Sequence, residues 1–126
     1  MKLIIDNRNK NQNTDLITNN SSKSNALNSL ELLDGIKHTL LSLERADGWR
    51  MDIGGGDGNY IVSAVSSSTN CLTLINPDGD YTLLVELCAG GQYAEFPHNI
   101  VVTEILAKNA ICNFFDKSEN KLNWES

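Results

Sequence analysis

Four short runs between positions 49 and 87, namely Trp49–Ile53, Tyr60–Val65, Cys71–Ile75 and Tyr81–Leu87, are rich in β-branched, aromatic and aliphatic residues. Such runs suit a pleated, half-buried surface. Turn chemistry separates them: Gly54-Gly55-Gly56-Asp57-Gly58-Asn59, then Ser66-Ser67-Ser68-Thr69-Asn70, then Asn76-Pro77-Asp78-Gly79-Asp80. Linkers of five or six residues leave little room for crossovers, so consecutive strands pair most simply as an antiparallel meander.

Around this meander the period changes. Leu30, Leu33, Ile36, Leu40 and Leu43 recur at spacings of three and four, which predicts a helix over residues 28–46. Asn28 with Glu31 supplies a capping box and Gly48 a stop, while Gly35 inside the stretch costs about 1 kcal/mol relative to Ala. A second helix is expected from Thr103 as N-cap to about Asp116, burying Ala107, Ala110, Ile111 and Phe114. Lys2–Ile5 reads as a first strand and Leu122–Trp124 as a last one, with a further break at Gly90-Gly91 and Pro97. The Asn-rich stretch 6–25 buries too little apolar surface to offset chain entropy and reads as a flexible loop, with room for a brief ordered piece at Leu16 and Ile17. The expected architecture is one α+β domain over 1–126, a mainly antiparallel sheet with two helices packed on one face.

Charge narrows the partners. Lys and Arg number 10 against 16 Asp and Glu, a net charge of -6. Residues 51–107 hold Asp52, Asp57, Asp78, Asp80, Glu86, Glu95 and Glu104 with no Lys or Arg, so this segment supplies the excess. Such a field repels phosphate backbones and anionic lipid, which argues against direct contact with nucleic acid or membrane. The N-terminal apolar run Leu3-Ile4-Ile5 is shorter than a signal peptide core, and a cytoplasmic protein is expected. Cys71, Cys88 and Cys112 are odd in number and widely spaced, and read as reduced, mostly buried thiols.

Catalytic and metal-binding motifs are missing. The glycine-rich segment lacks the third Gly of a dinucleotide fingerprint, where Asn59 stands, and the Gly-Lys-Ser/Thr ending of a P-loop. Asp78-Gly79-Asp80 lacks the rest of a calcium loop. His38 and His98 belong to no metal-ligand cluster, and Cys88, His98 and Asp80 are the least poor nucleophilic set available. The expectation is a non-enzyme with no cofactor and no metal.

Gly90-Gly91-Gln92-Tyr93-Ala94-Glu95-Phe96-Pro97, the helix from Thr103 to Phe115, and Lys121-Leu122-Asn123-Trp124-Glu125 together resemble immunity proteins of bacterial polymorphic-toxin and contact-dependent growth inhibition systems, in particular immunity family one. The matching positions are Gly91, Glu95, Pro97, Ala107, Ala110, Phe114 and Trp124. The resemblance covers about three quarters of the chain from Ser29 onward. It implies a non-enzymatic inhibitor whose partner is a cognate toxin C-terminal domain, often a nuclease or deaminase. A toxin acting on nucleic acid needs a basic surface, so its inhibitor gains from clustered carboxylates. Expected partner-binding residues are Asp57, Asp78 and Asp80, with Tyr81 or Tyr93 as aromatic anchors. Among the motif residues, Gly91, Pro97 and Phe114 read as scaffold, Trp124 as a terminal strand packed near Phe114, and Glu95 as an acceptor of backbone hydrogen bonds at a turn. The competing reading is a small-ligand or adaptor module with a pocket between helices and sheet lined by Trp49, Tyr60 and Tyr93.

Overall fold

The computed structural model describes residues 1–67 and 70–126. Its strands are β1 (Lys2–Ile5), β2 (Arg8–Asn9), β3 (Gln12–Asn13), β4 (Leu16–Thr18), β5 (Leu40–Glu44), β6 (Arg50–Gly56), β7 (Asn59–Val65), β8 (Cys71–Leu74), β9 (Leu84–Ala89), β10 (Gln92–Pro97) and β11 (Trp124–Glu125). Helix α1 (Lys23–Leu32) precedes β5 and helix α2 (Glu104–Phe115) follows β10. Seven strands form one antiparallel sheet in the order β11-β8-β7-β6-β5-β1-β4, while β9-β10 and β2-β3 are separate hairpins. The fold is α+β, and the expected meander is its centre. No helix among the described residues is long and apolar enough to cross a membrane.

Register explains the core. Leu3, Leu43, Met51 and Ala64 lie opposite one another across four strands, and Ile5, Leu41, Ile53 and Val62 form the next line two residues on. Side chains two apart share a face, and none of these eight is more than 3% exposed. The helices cover this face with Ala26 and Leu30 from α1 and Ala107, Ala110, Ile111 and Phe114 from α2. Each large side chain removed from water contributes about 1.5–3 kcal/mol. Thr103 caps α2 as expected, its hydroxyl accepting from the Leu106 amide at 3.3 Å.

The expected helix over 28–46 is corrected. Helix α1 begins earlier, capped by Ser22 rather than Asn28, and residues 40–44 are a strand. The reversal lies at Asp34-Gly35, where Gly35 adopts φ +75°, a conformation that costs other L-residues. Asp34 Oδ1 accepts the amides of Ile36, Lys37 and His38 and closes the turn. Burial lifts the Asp34 pKa, but these backbone bonds outweigh it and hold the carboxyl below its ordinary range. The leucines at 41 and 43 are buried with period two, while Ile36 is 77% exposed.

Other expectations change as well. Gly54–Gly56 belong to β6, and the turn is only Asp57-Gly58, both at positive φ as a tight hairpin requires. The run expected at 81–87 becomes β9 and leaves the meander to pair with β10. The ordered piece expected at Leu16 and Ile17 is edge strand β4, but the rest of the 6–25 stretch is not one loop, since it also holds the β2-β3 hairpin and the start of α1. Cys88 is buried, but Cys71 is exposed and Cys112 intermediate. The linker expected at 66–70 includes Ser68 and Thr69, which lie outside the described residues.

The β9-β10 hairpin lies against the second face of the sheet. Gly54 permits the approach, since a Cβ there would come within 2.5 Å of the Ala89 Cβ. A buried node ties down the hairpin tip. The Asp6 carboxylate accepts from the Thr39 amide and hydroxyl, from the Leu40 amide at 3.0 Å and from Arg8 Nε at 2.6 Å. Thr39 Oγ1 in turn accepts from the Gly91 amide at 2.9 Å. Burial pushes the Asp6 pKa up, yet the bonds from Thr39, Leu40 and Arg8 prevail and hold it below the ordinary carboxylate range.

Candidate functional site

Residues 76–83 carry the chain from β8 to the hairpin in a tightly tied loop. Asn76 is buried and donates through Nδ2 to the Val101 carbonyl at 2.9 Å, while its Oδ1 accepts the Asp78 amide at 3.1 Å. Gly79 lies against the backbone of His98 and Asn99, so close that a Cβ would fall 2.5 Å from the Asn99 Cα. The Asp80 amide donates to His98 Nδ1 at 3.1 Å. The Asp80 carboxylate accepts the hydroxyl and amide of Thr82, and these two bonds lower its pKa. With the backbone so held, Tyr81 is left 75% exposed, and Leu83 and Leu84 are exposed beside it.

The hairpin continues this surface. Register opposes Leu84 with Pro97, Glu86 with Glu95 and Cys88 with Tyr93 on one side, and Val85 with Phe96 and Leu87 with Ala94 on the other. Phe96 and Ala89 face the sheet, so Glu86, Glu95 and Tyr93 belong to the outer side. Tyr93 is 68% exposed. Glu86 and Glu95 stand directly opposite each other, and like charges so placed are unfavourable. Among the described residues, none of Asp57, Asp78, Asp80, Glu86 and Glu95 has an ion-pair partner. The absence of Lys and Arg from residues 51–107 thus leaves the outer side of the hairpin and the loop before it carrying aromatic and aliphatic surface with carboxylates that have no ion-pair partner among the described residues.

Asp57 lies elsewhere. It borders a concavity of about 640 Å³ with Glu31, Asp34, Ile36, Tyr60 and Glu104. Lys108 Nζ approaches Glu31 at 3.3 Å and Glu104 at 3.8 Å, so this acidic hollow is partly compensated from within. Of the five expected contact residues, the fold therefore gathers Asp78, Asp80, Tyr81 and Tyr93 along the hairpin and the loop before it, and leaves Asp57 apart. Sequence reasoning missed Glu86 and Glu95 as a contact pair because only strand register brings them opposite one another.

The motif residues take structural positions with one correction. Glu95 sits mid-strand in β10, exposed and facing Glu86, so it is not the turn acceptor that was expected. Gly91 is at the hairpin tip with φ +79°, and a Cβ there would collide with the Arg8 guanidinium. Pro97 closes β10. Trp124 pairs with Leu74, packs partly buried against the core that contains Phe114, and donates from Nε1 to the Glu119 carbonyl at 2.7 Å. Arg45 locks the same corner. Its guanidinium lies 4.4 Å from the Phe114 ring centroid and donates to both Glu119 carboxylate oxygens at 2.9 and 3.1 Å.

Neither the nucleophilic set nor the aromatic pocket assembles. Cys88 pairs with Tyr93 near the hairpin tip, whereas His98 lies five residues beyond Tyr93, roughly 16 Å along an extended strand. His38 is in the turn before β5, where its Nδ1 lies 2.7 Å from the Asp6 carbonyl. Among the described residues no group of three His, Cys, Asp or Glu side chains is placed to hold a metal. Tyr60 is buried in the core, Trp49 packs at its edge under Arg45, and Tyr93 is on the outer hairpin face, so the three share no pocket. A cleft does exist on the opposite face, between sheet and hairpin. Comparison with protein-family models, curated proteins and solved structures gave no match for this chain.

Proposed function

We propose that this chain is a non-enzymatic immunity protein that binds and neutralises a basic toxin domain in the cytoplasm, using the outer face of the β9-β10 hairpin and the loop that leads into it. The observation that carries this reading is the combination of Tyr81, Leu83, Leu84 and Tyr93, all exposed, with Asp78, Asp80, Glu86 and Glu95, none of them ion-paired among the described residues. Interfaces favour aromatic anchors within a polar rim. A toxin that acts on nucleic acid presents Lys and Arg for phosphates, and such a surface is steered toward unpaired carboxylates. The resemblance at Gly91, Glu95, Pro97, Ala107, Ala110, Phe114 and Trp124 points the same way. Rigid backbone under the contact surface favours tight binding, because less order has to be imposed on association.

The test is co-expression with the C-terminal domain of the polypeptide encoded beside this gene. Growth should be arrested by that domain alone and restored when this chain is present, with a stable complex on gel filtration. A neighbour without toxicity, or a toxic neighbour that this chain neither binds nor neutralises, contradicts the reading.

A further inference from the structure

We infer that the cleft between the hairpin and the second face of the sheet binds a small neutral amphiphile, an apolar ring or short chain carrying one hydroxyl or carbonyl group. The cleft lies on the side of the hairpin opposite Glu86, Glu95 and Tyr93, and its Thr73 and Ile100 end borders Tyr81 of the loop before the hairpin.

The cleft arises from how the hairpin sits. Gly54, Ile61 and Ala89 crowd together at one end, where a Cβ on Gly54 would lie 2.5 Å from the Ala89 Cβ and 3.4 Å from Ile61, while Phe96 and Ile100 line the cleft beyond them. The resulting space is about 270 Å³. An enclosed apolar cavity of about 150 Å³ accepts benzene, and this cleft, open to solvent along one side, has room for a single ring with a short arm. Register then sets its polarity. Gly54 and Ile61 form one line across β6 and β7, and Asp52, Ser63 and Thr73 form the next across β6, β7 and β8. The apolar floor therefore ends on a polar row.

That polar row selects a neutral group. Asp52 is already satisfied: Oδ1 accepts the Ser42 hydroxyl at 2.6 Å, and Oδ2 accepts Arg50 Nε at 3.1 Å and pairs with Arg50 Nη2 at 3.1 Å. Its charge is cancelled before a ligand arrives. Ser63 and Thr73, opposite each other, have no side-chain hydrogen bond to any described residue. Two hydroxyls able to donate or accept thus stand at the mouth of an apolar cleft. Water against the apolar walls has few partners, and its displacement by a hydrocarbon group favours binding.

The probes are benzyl alcohol and toluene, titrated into the ¹⁵N-labelled full chain and followed by amide shifts. Saturable shifts at Gly54, Ile61 and Ala89 are expected with benzyl alcohol, with weaker binding of toluene. Replacing Ser63→Ala together with Thr73→Val should weaken benzyl alcohol about fivefold or more, the worth of one lost hydrogen bond, and leave toluene unchanged. Ser63→Leu, which fills the cleft mouth, should abolish both while the spectrum stays that of a folded protein. Absence of saturable shifts, shifts centred on other residues, equal affinity for the two probes, or unaltered binding to folded Ser63→Leu overturns the inference.

Discussion

On the helix-covered face of the sheet Leu41, Ile53 and Val62 are fully buried, whereas on the opposite face their strand neighbours Leu40, Ile61 and Ser63 are only half-buried beneath a two-stranded hairpin. Alternation along the same strands produces both surfaces. What differs is the cover. Two helices meet the first face with Leu30, Ile111 and Phe114, and no large side chain of that core is left open. The hairpin meets the second face across the small residues Gly54 and Ala89, and is tied at its tip through the Asp6–Thr39–Gly91 node. One face buries most of the large apolar side chains, and the other holds the β9-β10 hairpin, the proposed recognition element, through a few specific contacts.

Substitutions on the two sides should separate accordingly. Phe114→Ala, in the helix-covered core, should lower unfolding free energy by about 3–5 kcal/mol in urea. Partner affinity measured on the folded fraction should be unchanged. Retained stability would show that the helix layer contributes less than its burial indicates.

Asp6→Asn tests the tie between the faces. It removes a buried charged acceptor of four hydrogen bonds and should cost about 1.5–3 kcal/mol. The sign of the pH effect follows from the lowered folded-state pKa. In the parent, this contribution is complete above the unfolded carboxylate value of about 4 and is lost as pH falls through the lower folded value. Acid titration of stability should therefore be shallower in Asp6→Asn than in the parent. Parallel curves would remove Asp6 as the source.

Gly91→Ala is a smaller and more local change. It places a Cβ at φ +79° against Arg8, and the backbone alone should cost about 1–2 kcal/mol. Hydrogen exchange should quicken in β9 and β10 while β5, β6 and β7 keep their protection. Uniform loss of protection would mean that hairpin and sheet open as one unit.

The same contrast governs what could be read from sequence. Helix α2 was legible because Thr103, Ala107, Ala110 and Phe114 state both its cap and its buried stripe. The stretch 28–46 misleads because Leu30, Leu33, Ile36, Leu40 and Leu43 keep helical spacing across a turn. Its strand half is decided by Gly35 at positive φ and by the side chain of Asp34, which holds three amides. The glycines at 54–56 read as a loop because their reason is tertiary: Gly54 admits Ala89, and a Cβ on Gly56 would meet the backbone at Asp34-Gly35. At the candidate site, Asp78, Asp80, Tyr81 and Tyr93 were legible from charge and residue type. Glu86 and Glu95 were not, since nine positions of sequence separate two side chains that pairing makes neighbours.

The most direct test of the proposed function is the association rate of the chain with the basic toxin domain proposed as its partner, at low salt, for the parent and for the double variant Glu86→Lys, Glu95→Lys. Both positions are exposed and unpaired, and the variant exchanges one pair of like charges for another, so the melting temperature should hold. Association should slow by on the order of tenfold or more, with a flatter salt dependence, because electrostatic steering is removed and reversed. An unchanged association rate in a fully folded double variant would contradict the assignment of the outer hairpin face as the partner surface.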